Sequence, residues 1–172
     1  MGGYFQRQLA DYVEYHRDPM NGLMHVVGIL LLFTGAVLPL TLVTFPLFGL
    51  QVSLAVILAL PVLAYWLLLD VGLGLGIVAA AVVLLSVATA IGSQVSTVMM
   101  WSIFVVLIGF GVAAQIVGHR VFEERQPSMV DNPAHFLLGP MFVMAKLFIS
   151  LGFRRDLAAI IAPVPSNSLS TR

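Results

Sequence analysis

The chain has 172 residues, 60% of them apolar and 9% charged, roughly a third of the charged share usual for a soluble domain. Between Asp18 and Arg120 lie 101 residues whose one charged side chain is Asp70; a single small core cannot hide that much apolar surface, so a water-soluble globular protein is excluded. Eight Lys+Arg balance eight Asp+Glu without forming a basic stripe, and no cysteine is present, which excludes a nucleic-acid binder, disulfides and thiolate metal sites.

Residues 4–17 read as an amphipathic surface helix, because Phe5, Leu9, Tyr12 and His16 share one stripe while Arg7, Asp11 and Glu14 lie off it. Those charges and the lack of an apolar run also argue against a cleaved signal peptide, so the first span is expected to stay in the mature protein. Asp18-Pro19 reads as an N-cap followed by proline at the first helical position. Four apolar segments then have the length that a ~30 Å hydrocarbon core demands: about 23–44, 52–69, 71–91 and 98–118. Turn chemistry separates them at Phe45-Pro46, at Asp70 with Gly72, and at Gly92-Ser93-Gln94. Gly72 with Gly76, and Gly109 with Gly111, mark expected close helix approaches. Trp66 and Trp101 fall near opposite ends of their helices, as interfacial aromatics do.

Asn132-Pro133 repeats the capping signal ahead of a helix over about 133–151, which is short and contains Lys146. It reads as interfacial and not as a fifth span. The fold class is therefore all-α: a polytopic membrane protein with four transmembrane helices and amphipathic helices at both ends. Residues 1–155 form one membrane domain, and 156–172 form a tail expected to be disordered from Pro163 onward. All eight Lys+Arg lie before residue 18 or after residue 119, so the positive-inside rule places both termini in the cytoplasm.

That topology gathers all four histidines at the cytoplasmic face. His16 ends the surface helix, His25 lies about two turns into the first span, His119 ends the fourth, and His135 starts the last helix. His25 lies beyond the last charged residue before the apolar run, where a titratable group suggests function. Neutral imidazole ligates iron, zinc and copper, so His16, His25, His119 and His135 are candidate metal ligands. Asn21 and Gln115, each four residues before a histidine, are candidate supporting partners, and Asp70 and Glu123 are alternative ligands. Among them Asp70 reads first as a turn cap. The histidines are too few for the HxxxH and HxxHH boxes of di-iron membrane desaturases. HExxH, GxSxG and P-loop motifs are absent, and Ser93 faces the opposite side of the membrane.

Two segments carry a family resemblance. His16-Arg-Asp-Pro19-Met-Asn21-Gly-Leu-Met-His25-Val-Val-Gly28 resembles an HxxPxNxxxHxxG motif, and Gln115-Ile-Val-Gly118-His119-Arg-Val-Phe122-Glu123-Glu-Arg-Gln-Pro127 resembles QxxGHxxFExxxP. Both are motifs of the yeast-type 2-hydroxy fatty acid dioxygenase family, whose members act in phytosphingosine breakdown to odd-numbered fatty acids. The resemblance covers residues 4–153. It implies Fe(2+)-dependent alpha-oxidation, in which a 2-hydroxy fatty acid and dioxygen yield a fatty acid one carbon shorter, with His16, His25 and His119 as the motif histidines. His135 has no counterpart expected in the motifs. Leu30 stands where a proline often follows, and Lys146 where an acidic residue is expected. A three-histidine site would leave open positions for a chelating 2-hydroxy-carboxylate, and Arg17 or Arg120 would meet either the substrate carboxylate or a lipid headgroup. Two other classes fit the pattern of histidines: a bis-histidine haem electron-transfer protein, and a non-catalytic membrane scaffold or transporter.

Overall fold

The computed structural model describes residues 2–161, and among these the protein is almost entirely helical. Helix α1 (Gly2–Val13) is followed by α2 (Pro19–Leu40), a hairpin of β1 (Thr44–Leu47) and β2 (Leu50–Ser53), α3 (Leu54–Leu69), α4 (Val71–Gly92) and α5 (Thr97–Val117). After α5 come a π turn (Gly118–Phe122), α6 (Ser128–Asp131), a 3-10 turn (Pro133–Leu137), α7 (Leu138–Ser150) and α8 (Arg155–Ile161). Four segments are long and apolar enough to cross a membrane: Pro19–Leu40, Val71–Gly92, Thr97–Phe122 and Pro133–Ser150. Their apolar side chains stay largely exposed, as surface meant for lipid is.

Capping sets the boundaries. Asp18 accepts from the N–H groups of Met20 and Asn21, with Pro19 in the first turn, so α2 starts where the Asp-Pro pair predicts. Asp70 caps α4 by accepting from Leu73 N–H, and Asn132 accepts from Ala134 N–H ahead of the 3-10 turn that leads into α7.

Several expected boundaries differ. The surface helix stops at Val13 and not at residue 17, because 14–16 close back on it through short i→i+3 bonds such as His16 N–H to Val13 C=O. The first span ends at Leu40; of its expected tail 41–44, residues 41–43 turn away and only Thr44 enters β1, which pairs with β2. Phe48 and Gly49 both adopt positive φ at that hairpin's tip (51° and 79°), the pairing a tight two-residue turn requires. α3 has only 16 residues. Residues 156–161, read as the start of the tail, belong to α8, in which Leu157 is fully buried; Pro163–Arg172 lies outside the described residues.

α2 and α5 form the most extensive helix pair. They approach closely because glycines face each other: a Cβ added at Gly111 would stand 2.7 Å from Leu32 Cγ. Gly76 likewise admits Met144 and Phe148 of α7, whereas Gly109 faces open space, so the expected approach there does not occur. The main buried cluster joins Phe5, Leu9 and Tyr12 of α1 to Trp66, Leu73, Met141, Phe142 and Leu157. It lies at the end of the bundle where α2 begins and α5 finishes. Trp66 belongs to this core, donating Nε1–H to Leu137 C=O at 2.7 Å, and is not an interfacial anchor.

Candidate metal centre

Three separate segments deliver three imidazoles to one point. His16 sits in the turn after α1, His25 in the second turn of α2, and His119 in the π turn after α5. All three are buried, and one nitrogen of each lies within 4.8 Å of one from each of the others. The rings meet edge to face, with centroids 4.2 Å apart for His16–His25, 4.8 Å for His16–His119 and 5.6 Å for His25–His119. Each ring also keeps a buried nitrogen without a hydrogen-bond partner: His16 Nε2, His25 Nδ1 and His119 Nδ1. Leaving such groups unpaired is costly unless something binds them.

The surroundings fix ring orientation. His16 Nδ1 lies 2.8 Å from Tyr12 C=O, and since a carbonyl only accepts, Nδ1 carries the proton and Nε2 presents its lone pair. Burial lowers the His16 pKa to about 3, helped by the charges of His119, His135 and Lys146 and opposed by the Tyr12 backbone bond. The ring is thus neutral, as a ligand must be. Tyr12 stacks on His16 at 4.2 Å between centroids and places its hydroxyl 2.5 Å from His25 Nε2. Burial raises the Tyr12 phenol far above its ordinary range, so it stays protonated.

The other expected residues divide. Asn21 is fully buried and donates Nδ2–H to Tyr15 C=O and Glu123 Oε2, while Gln115 donates to His25 C=O at 3.2 Å. Both hold the helices that carry the histidines. Glu123 stands outside the three-histidine group: its carboxylate accepts from Arg17 N–H and Asp18 N–H at 2.9 Å each, and from Asn21. The wide i→i+5 turn that closes on Gly118 C=O carries it to the start of α2. Asp70 likewise lies apart, capping α4 and pairing with Arg154 at 2.6 Å.

His135 is buried but outside the group, its Nε2 3.2 Å from Asp11 and 3.1 Å from Asn132 Nδ2, with Nδ1 unpartnered. Arg17 pairs with Glu14, and Arg120 is exposed. Neither arginine lines the cavity of about 350 Å³ beside the histidines, which is walled by Tyr12, His25, Gln115, His119 and His135 at one end and by apolar α2 and α5 side chains beyond. Sequence reasoning placed Tyr12 on the right stripe without giving it a role; its i−4 spacing from His16 was the available signal. It also passed over Lys146 as a neighbour of the histidines. That cation's Nζ lies 3.0 Å from where a Gly22 Cβ would stand.

Fold and site together define a polytopic helical protein with a buried three-histidine group able to hold a metal. The chain belongs to the Mpo1-like family: residues 3–151 match the family described as "2-hydroxy-palmitic acid dioxygenase Mpo1-like". It is 31% identical over 156 residues to the 2-hydroxy-palmitic acid dioxygenase MPO1 of Saccharomyces cerevisiae, covering 90% of this chain and 85% of that one. No solved structure matches it.

Proposed function

We propose that the protein is an Fe(2+)-dependent dioxygenase that shortens 2-hydroxy fatty acids by one carbon, acting at the cytoplasmic face of its membrane. The observation that supports this most directly is that three buried imidazoles converge from three segments, each of them with a buried nitrogen that has no hydrogen-bond partner. Neutral nitrogen donors suit iron, and three of them leave positions free for substrate. When bound, iron would supply a seat for the 2-hydroxy-carboxylate and the activation of dioxygen.

The chain's own residues supply the rest. His16, held by Tyr12 C=O, turns Nε2 inward. If His25 offers Nδ1, its Nε2 carries the proton and donates to the Tyr12 oxygen, leaving the phenolic proton for a ligand in the cavity. His135, whose Nε2–H faces the Asp11 carboxylate, presents Nδ1 on the same cavity wall, where it can accept from the substrate's hydroxyl. The apolar walls beyond exclude water from the reacting end.

The haem alternative loses support from the geometry, because rings packed 4.2–5.6 Å apart leave no slot for a macrocycle between any two of them. The decisive measurement is metal content with turnover. Purified protein is expected to carry iron and convert a 2-hydroxy fatty acid under air to the acid one carbon shorter. His25→Ala or His119→Ala is expected to lose both, with metal affinity and turnover each down by about 100-fold or more. Full turnover in either variant would sink the reading, and a folded wild type without metal would favour a scaffold.

A further inference from the structure

A second apolar crevice, of about 180 Å³, lies between α2, α4 and α7 and shares Ile29, Phe33 and Pro140 as walls with the histidine cavity. Its polar groups are already satisfied internally. Trp66 Nε1–H is given to Leu137 C=O, and Thr34 Oγ1–H to Leu30 C=O at 2.7 Å. It therefore offers nothing to a polar ligand. The histidine cavity is also mainly apolar, but at one end His25, His119 and His135 each hold an unpartnered buried nitrogen. An apolar cavity with polar atoms at one end, continued by an apolar crevice, fits an amphiphile with one polar end.

We propose that the acyl tail of such a ligand runs from the histidines past Phe33 into this crevice, and that Ala81 and Leu84 at its far end set the tail length. The inference rests on the fatty-acid reading above and adds the tail's route and its limit. Dimensions agree: α2 and α4 start at the same end of the bundle and run side by side, so His25 to Phe33, about 12 Å along α2, and Ile77 to Leu84, about 10 Å along α4, cover the same depth, comparable with the about 15 Å of one acyl tail, half the hydrocarbon core. Phe33, whose ring lies 6.1 Å from that of Trp66, forms the partition between the two spaces.

Trp66 lines the crevice and Trp101 does not, so Trp101→Phe leaves a single reporter. In nanodiscs of unbrominated lipid, 2-hydroxystearic acid dibrominated at mid-chain is expected to quench Trp66 saturably, with reversal by the unbrominated acid. Non-saturable quenching, or none, would mean that bilayer chains alone visit the crevice and would overturn the proposal. Separately, Ala81→Phe is expected to lower kcat/KM for long-chain 2-hydroxy acids relative to a short-chain one by roughly tenfold or more. A melting temperature and metal content equal to wild type show that the variant is folded. An unchanged chain-length ratio would overturn the tail route. Saturable quenching without turnover of any 2-hydroxy acid would instead overturn the assigned reaction and leave the tail route standing.

Discussion

Glu123 shows how one side chain can serve a site without entering it. Its carboxylate accepts from two backbone N–H groups at the start of α2 and from Asn21. It thereby fastens the π turn that carries His119 to the helix that carries His25. Glu123→Gln exchanges an acceptor oxygen for a donor facing other donors, at a cost of about 1–3 kcal/mol. The expected result is a lower melting temperature for the purified variant, with metal still present in its folded fraction. A melting temperature equal to wild type would show that the three contacts contribute nothing. The motif spacing had placed Glu123 beside His119, and an ideal helix would have put it there; the π turn is invisible in residue identities.

At the scale of elements, the α2–α5 crossing sets how near His25 and His119 come. Gly111 is needed there because a Cβ would meet Leu32 Cγ at 2.7 Å and Gly28 C=O at 3.2 Å, whereas a Cβ at Gly109 meets nothing within 4 Å. Gly111→Leu is therefore expected to destabilise by about 1–3 kcal/mol and to weaken metal retention, while Gly109→Leu leaves both near wild type. Thermal unfolding and bound metal compare the two, and equal behaviour would refute the close approach. The sequence marked both glycines alike, since small-residue spacing does not say which face meets a neighbour. Helix starts were more legible: Asp18-Pro19 and Asn132-Pro133 act through side-chain caps within three residues of themselves.

For the whole molecule, α7 is the informative helix. It is long and apolar enough, with its 3-10 turn, to cross a membrane. Yet His135 just before it packs on Tyr12, and Arg154 just after it pairs with Asp70 between α3 and α4. Both of its ends thus lie at the end of the bundle that holds the histidines, which supports the interfacial reading. Because the chain has no cysteine, single substitutions can report sidedness. In intact cells a membrane-impermeant maleimide is expected to label Ser93→Cys from outside and Arg155→Cys only after permeabilisation. Outside labelling at residue 155 would make α7 a span and place the C-terminus across the membrane.

The sequence carried the all-α membrane class, because apolar length and local caps need no partner to be read; it did not carry which segments reach spanning length, since the expected second span is a 16-residue helix and Pro133–Ser150 is the further candidate. It also carried the family, through two motifs set on α2 and at the end of α5. Tertiary structure alone decided which polar residues share the site. Tyr12 reaches His25, and His16, His25 and His119 meet from three segments, while His135 pairs with Asp11 and Asp70 with Arg154. These pairings depend on helix crossings and a π turn, geometry set by packing between distant segments rather than by spacing along one of them.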